Sequence, residues 1–236
     1  MIVPSDRRAL IEAIVASAIV TGVVTLASTF LPERFVAVGV AAVFLGATWA
    51  LVWRGDDARV ERSGLTLGGL VLPGPIDGRR LARSAGMSLA WAVAFALITF
   101  VPFFFGWRTF WHAHGRFGLH VQAWETINEV FGQLVIIALP EEAFYRGYLQ
   151  SRLDDALPGR VRILGAQVGP ALIVSSVIFA LGHFATIREP ARLAVFFPSL
   201  VFGWLRARTK GIGASVAFHA SCNLFSELLG KGYHVY

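Results

Sequence analysis

The chain has 236 residues, of which 56% are apolar and 15% charged, with a formal net charge of +6. A soluble domain carries about 25% charged residues, so a globule of this size would lack the polar groups to cover its surface. Disordered chains are poor in apolar residues, and a single cysteine forms no disulfide framework, so both of those classes are excluded.

What remains is an all-α, polytopic transmembrane helical bundle. Crossing the hydrocarbon core takes about 20 apolar residues. The first such run is Leu10–Leu31, interrupted only by Glu12. It is longer than the 7–15-residue core of a signal peptide and no small-x-small cleavage site follows, so it reads as a retained helix. Phe35–Trp53 is the second run, and Ala85–Phe105, with Pro102 near its end, is the third. Between them the stretch Arg54–Arg83 holds Gly68-Gly69, Pro73-Gly74-Pro75 and Asp77-Gly78, which predicts a loop with turns. A second loop is expected over Gly106–Glu125. The fourth run starts near Thr126, passes Leu139 and enters a polar patch. Pro170–Thr186 is the fifth, Ala191–Leu205 a short sixth, and Ile212–Leu229 the seventh.

Orientation follows from the basic residues, since cytoplasmic loops are enriched in Lys and Arg. With the N-terminus inside, 14 of them fall in inside segments and 6 outside, which predicts seven spans with the C-terminus outside. The basic residues are thereby explained as topology, and no nucleic-acid partner is expected. Trp49, Trp53, Trp107, Trp111 and Trp124 sit near predicted span ends, as an interfacial belt requires. No internal repeat is present. The simplest organisation is one membrane domain, with N-terminal helices and a cytoplasmic loop in 1–125 and a helical core in 126–236.

Ionisable groups within a span are costly, at about 2.5–3.5 kcal/mol each on insertion scales, and commonly mark function. Three clusters qualify. In Pro140-Glu141-Glu142-Ala143-Phe144-Tyr145-Arg146, Glu142 and Arg146 are i, i+4 neighbours able to pair on a helix. Glu141 is then turned about 100° away, without a local cation, as suits a general base. The blander alternative makes this patch the cytoplasmic end of the fourth helix, with both carboxylates among headgroups. The second cluster is Phe179-Ala180-Leu181-Gly182-His183, in the fifth span. In the third, His219 and Asn223 share a helix face in the seventh span and are able to donate to a developing oxyanion. An interhelical hydrogen-bond pair is the structural alternative.

One carboxylate, two histidines and an asparagine from three spans allow two chemistries. In one, Glu141 and His183 polarise a water while His219 and Asn223 hold the oxyanion. In the other, Glu141, His183 and His219 bind Zn²⁺. No H-E-x-x-H signature is present. A membrane transporter or proton-conducting protein is the rival class, because it too places Glu and His inside helices. It predicts inverted repeats or broken helices, and the sequence has neither. At about 1.5 Å per residue, Glu141 and His219 fall in the inner half of the membrane and His183 falls deeper.

Glu-Glu-x-x-x-Arg, Phe-x-x-x-His and His-x-x-x-Asn, in this order on successive apolar helices, resemble the CAAX prenyl protease type II group. That group lies within the wider CPBP (Abi) family of intramembrane endopeptidases. The matching positions are Glu141, Glu142 and Arg146; Phe179 and His183; His219 and Asn223. The resemblance implies a peptide hydrolase that cuts near the C-terminus of a membrane protein or peptide substrate. By it, Glu141 activates water, His183 assists, His219 and Asn223 form the oxyanion site, and Glu142 and Arg146 are an orienting pair; a reaction without a cofactor is favoured, with zinc as the alternative. Compact size and short loops point to a bacterial member, a multi-pass protein of the inner membrane with its N-terminus in the cytoplasm.

Several further residues read as structural. His112, His114 and His120 belong to a solvated loop and Cys222 to packing. Glu125 and Glu129 complement a helix N-terminus. Gly182, Gly203, Gly211 and Gly213 allow close helix approach.

Overall fold

The computed structural model describes residues 6–118 and 122–235. It is an all-α bundle. Helix α1 is Arg7–Phe30, α2 Glu33–Trp53, α3 Asp57–Arg62 and α4 Gly78–Phe110. Helix α5 runs without a break over 123–156. The strands β1 (Val161–Ile163) and β2 (Ala166–Val168) pair as a small antiparallel hairpin. Helices α6 (Pro170–Thr186), α7 (Phe196–Thr209) and α8 (Gly213–Gly232) complete the chain. Among the described residues, α1, α2 and α4 are each long and apolar enough to cross a membrane.

Helix α1 illustrates why these segments fold as they do. The Asp6 carboxylate caps it, accepting from the amides of Arg8 and Ala9 at 3.0 and 3.1 Å. Its buried stripe, Ala9, Ala13, Ser17, Val20 and Val24, follows the helical repeat and packs on α2, α5 and α6. The opposite face is apolar yet bare, with Ile11 and Ile19 about 60% exposed, as a lipid-facing surface is. In α4 most large apolar side chains are likewise exposed. Its inner edge meets α8, where the Phe100 and Phe225 rings stack 4.3 Å apart.

Each of the seven expected spans has a helix, with different limits. The stretch 54–83 is less of a loop than expected. Asp56 caps α3, and Asp77 caps α4 so that it starts before the apolar run does. Helix α4 also continues to Phe110, which shortens the loop expected over Gly106–Glu125. The alternative that ends the fourth helix at the Glu pair is wrong. Helix α5 continues past it to 156, and residues 143–150 are all buried.

Pro140 sits inside α5. Its ring would collide with the carbonyl of residue 136 in a regular helix. The backbone widens into π-helical turns at Gly132–Ala138 and again at Ala143–Gln150, on both sides of the Glu pair. Such turns absorb the missing amide and re-aim the side chains that follow.

Candidate active site

The three polar clusters converge where α5, α6, α7 and α8 meet. Glu142 and Arg146 form the expected pair, 3.1 Å apart, with both side chains wholly buried. The guanidinium also donates to Ser199 Oγ at 2.9 Å, on α7. It lies over the rings of Phe179 and Phe202, 5.0 and 5.6 Å from their centroids. The other Glu142 oxygen is 3.0 Å from His219 Nδ1, which fixes that ring edge-on to the carboxylate. Phe202 stacks on the same imidazole, 4.7 Å away and nearly parallel. Glu142 on α5 and Phe202 on α7 thus aim His219 on α8.

Glu141 is turned away from this pair, as helix geometry requires. Its Oε2 is buried without a hydrogen-bond partner, 3.9 Å from His183 Nε2 and 4.0 Å from His219 Nε2. His183 is oriented from its other ring nitrogen, 3.0 Å from the Phe179 carbonyl one turn back. With Nδ1–H donating there, the Nε2 lone pair faces Glu141. Phe179 flanks the site as well, its ring 4.3 Å from that of His183. Groups about 4 Å apart are too far for a direct hydrogen bond and suited to one bridging water at about 2.8 Å from each.

The donor set Glu141, His183 and His219 has the right chemistry for zinc. Tetrahedral ligands about 2.1 Å from the ion stand about 3.4 Å apart, and the spacings here are about half an ångström wider. Among the described residues no group of three His, Cys, Asp or Glu side chains is placed to hold a metal ion.

Asn223 lies one turn beyond His219 on α8. Its amide donates to Gln133 Oε1 at 2.9 Å, and Gln133 Nε2 donates in turn to Glu227 at 3.4 Å. Lys231 closes the chain, 2.9 Å from Glu129 and 3.4 Å from Glu227. One amide hydrogen of Asn223 is therefore committed to Gln133.

Glu141 and His183 meet although they sit at different points of their own helices. Because α5 extends to 156, Glu141 lies near its middle, while α6 is a short helix in which His183 sits in the last turn. Sequence reasoning missed Ser199, Phe202 and Gln133. Only Gln133 carried a signal, as an amide at the edge of the fourth apolar run. Gly182, Gly203 and Gly213 do sit at close contacts, whereas Gly211 has room for a side chain. The His112 and His114 rings lie 6.5 Å apart with no third ligand among the described residues, and His120 falls outside those. Cys222 is half-buried, against a separate apolar cavity of about 280 Å³.

Residues 123–225, the segment that holds Glu141, Glu142, Arg146, His183, His219 and Asn223, match the family model described as type II CAAX prenyl endopeptidase, Rce1-like. No curated protein and no solved structure matches the chain. That segment is similar to this endopeptidase family, and the chain around it carries three helices long and apolar enough to cross a membrane among the described residues.

Proposed function

We propose that this chain, whose residues 123–225 match the Rce1-like family model, is an intramembrane endopeptidase that uses a water activated by Glu141. The observation that carries the proposal is the buried, unpartnered Oε2 of Glu141, facing two imidazole nitrogens across a gap the size of one water. Glu141 takes a proton from that water as its oxygen attacks the scissile carbonyl carbon. His183 Nε2 accepts the second water proton in a hydrogen bond and fixes the direction of attack. His219, doubly protonated in this step, donates Nδ1–H to Glu142 and Nε2–H towards the developing oxyanion, and the remaining Asn223 amide hydrogen adds to it. The proton held by Glu141 then passes to the leaving amine as the C–N bond breaks. No step passes through a metal, in keeping with the spacing of the three candidate ligands.

The substrate is a membrane protein or peptide, cut near its C-terminus. The cavity beside Glu141 has a volume of about 340 Å³ and a largely apolar lining, including Val24, Val40 and Phe44 from α1 and α2. The protein is a multi-pass component of a bacterial inner membrane, its N-terminus cytoplasmic.

The test compares membrane proteomes from cells carrying wild type or Glu141→Gln by C-terminal mass spectrometry. Shortened C-termini are expected with wild type, and a loss of at least about 1,000-fold with the variant. Full cleavage by Glu141→Gln rejects the mechanism. Activity lost to a zinc chelator and restored by zinc rejects the metal-free chemistry.

A further inference from the structure

We infer that the Tyr145 hydroxyl is a catalytic hydrogen-bond donor to the scissile carbonyl, positioned by Thr21 of α1. This rests on the endopeptidase reading above. Glu141 and His183 line the apolar cavity between α1, α2, α5 and α6, and Tyr145 and Thr21 line it with them. His219 and Asn223 are not part of that lining, so a peptide entering there meets Tyr145 before it meets either of them.

Three features hold the tyrosine for this work. It follows Glu141 by four residues, so the two share a helix face. Its ring is clamped edge-on by Phe179 at 4.9 Å and Phe144 at 5.2 Å, with Phe44 at 5.6 Å, which leaves the aromatic body one position. Gly182, the residue before His183, clears the space for its hydroxyl. A Cβ there would lie 2.8 Å from Tyr145 Oη and 3.7 Å from Thr21 Oγ1. Both hydroxyls lie within 4 Å of that one point. A phenol has one hydrogen to give and two lone pairs. With Thr21 donating to Oη, the Tyr145 hydrogen is free for a ligand in the cavity. As water adds to the carbonyl carbon, the oxygen gains charge and the Tyr145 hydrogen bond to it strengthens, with no proton transferred.

Thr21 then has a role that the 123–225 segment does not contain. Helix α1 completes the site by setting which way the phenol points.

The test uses the full chain in liposomes and a lipid-anchored fluorogenic peptide that spans a C-terminus found cut by the wild type. Losing one oxyanion donor costs about 100- to 1,000-fold in kcat. Tyr145→Phe is expected to lower kcat by about 100-fold with KM changed less than about threefold, while the melting temperature in detergent is kept. Thr21→Val is expected to give about a tenfold loss in kcat. Wild-type kcat in Tyr145→Phe overturns the inference, as does a loss confined to KM. If Tyr145→Phe does not fold, Gly182→Ala decides. It keeps the phenol but displaces its hydroxyl, so a reduced kcat supports the inference and an unchanged kcat overturns it. An inactive Glu141→Gln beside an unimpaired Tyr145→Phe rejects this role alone, whereas an active Glu141→Gln rejects the parent reading.

Discussion

Replacing Arg146 by Met should be among the most damaging single changes to the stability of this protein. Methionine matches the guanidinium stem in length and apolar character, so little packing volume is lost. What is lost is the 3.1 Å contact to Glu142, the 2.9 Å donation to Ser199 and the placement over Phe179 and Phe202. Glu142 has no exposure to water and keeps only the His219 ring at 3.0 Å. Removing one partner of a buried ion pair costs about 3–5 kcal/mol, because the survivor stays buried and uncompensated. That is two to four powers of ten in the folding equilibrium. Removing both charges in Glu142→Gln/Arg146→Met should restore stability to within about 1–2 kcal/mol of the wild type, since an ion pair replaced by neutral groups is often close to energetically even. Tryptophan fluorescence during SDS-induced unfolding in mixed micelles measures all three proteins. A loss below about 1 kcal/mol for the single variant would refute the reasoning, by showing that Glu142 finds water or a proton once Arg146 is gone.

Two further outcomes follow from the packing and from the Asn223 chain. Gly203→Val should lower stability by about 1–3 kcal/mol, because its Cβ would strike Leu172 and lie 2.7 Å from Gln150 Oε1 where α7 meets α6 and α5. Thermal unfolding in detergent reads this, and an unchanged melting temperature would mean that the helices separate freely. Gln133→Leu removes the acceptor that holds the Asn223 amide and should lower kcat by about tenfold with KM little altered. Wild-type kcat in that variant would show that Asn223 is aimed by something other than Gln133.

The chemistry of the site was legible where it depended on spacing along one helix. Four residues separate Glu142 from Arg146, and that alone required a pair on one face with Glu141 turned off it. Likewise Phe179 and His183 had to share a face, and the His183 ring does reach back to the Phe179 carbonyl. Contacts between helices were not legible. Nothing in the serine at 199 or the phenylalanine at 202 distinguishes them from other residues of an apolar helix, although both touch the core of the site. The course of α5 was hidden for a different reason. Pro140 and two carboxylates look like a helix end, and only the π-helical turns on either side let the chain continue through them. The limits of α3 and α4 were set by Asp56 and Asp77, capping residues that sequence reading took as parts of a loop.

The shortness of α6 and α7 has a consequence for the surrounding lipid. At 1.5 Å per residue their 17 and 14 residues reach about 25 and 21 Å, against a hydrocarbon layer of about 30 Å. Acyl chains next to these two helices must shorten or splay to avoid baring polar ends, so the leaflets are drawn together on that flank. Headgroups and their hydration are pulled inwards with them, close to the last turn of α6, where His183 sits. On the reading proposed above, the water that Glu141 activates comes from a dimple that these stunted helices press into the bilayer.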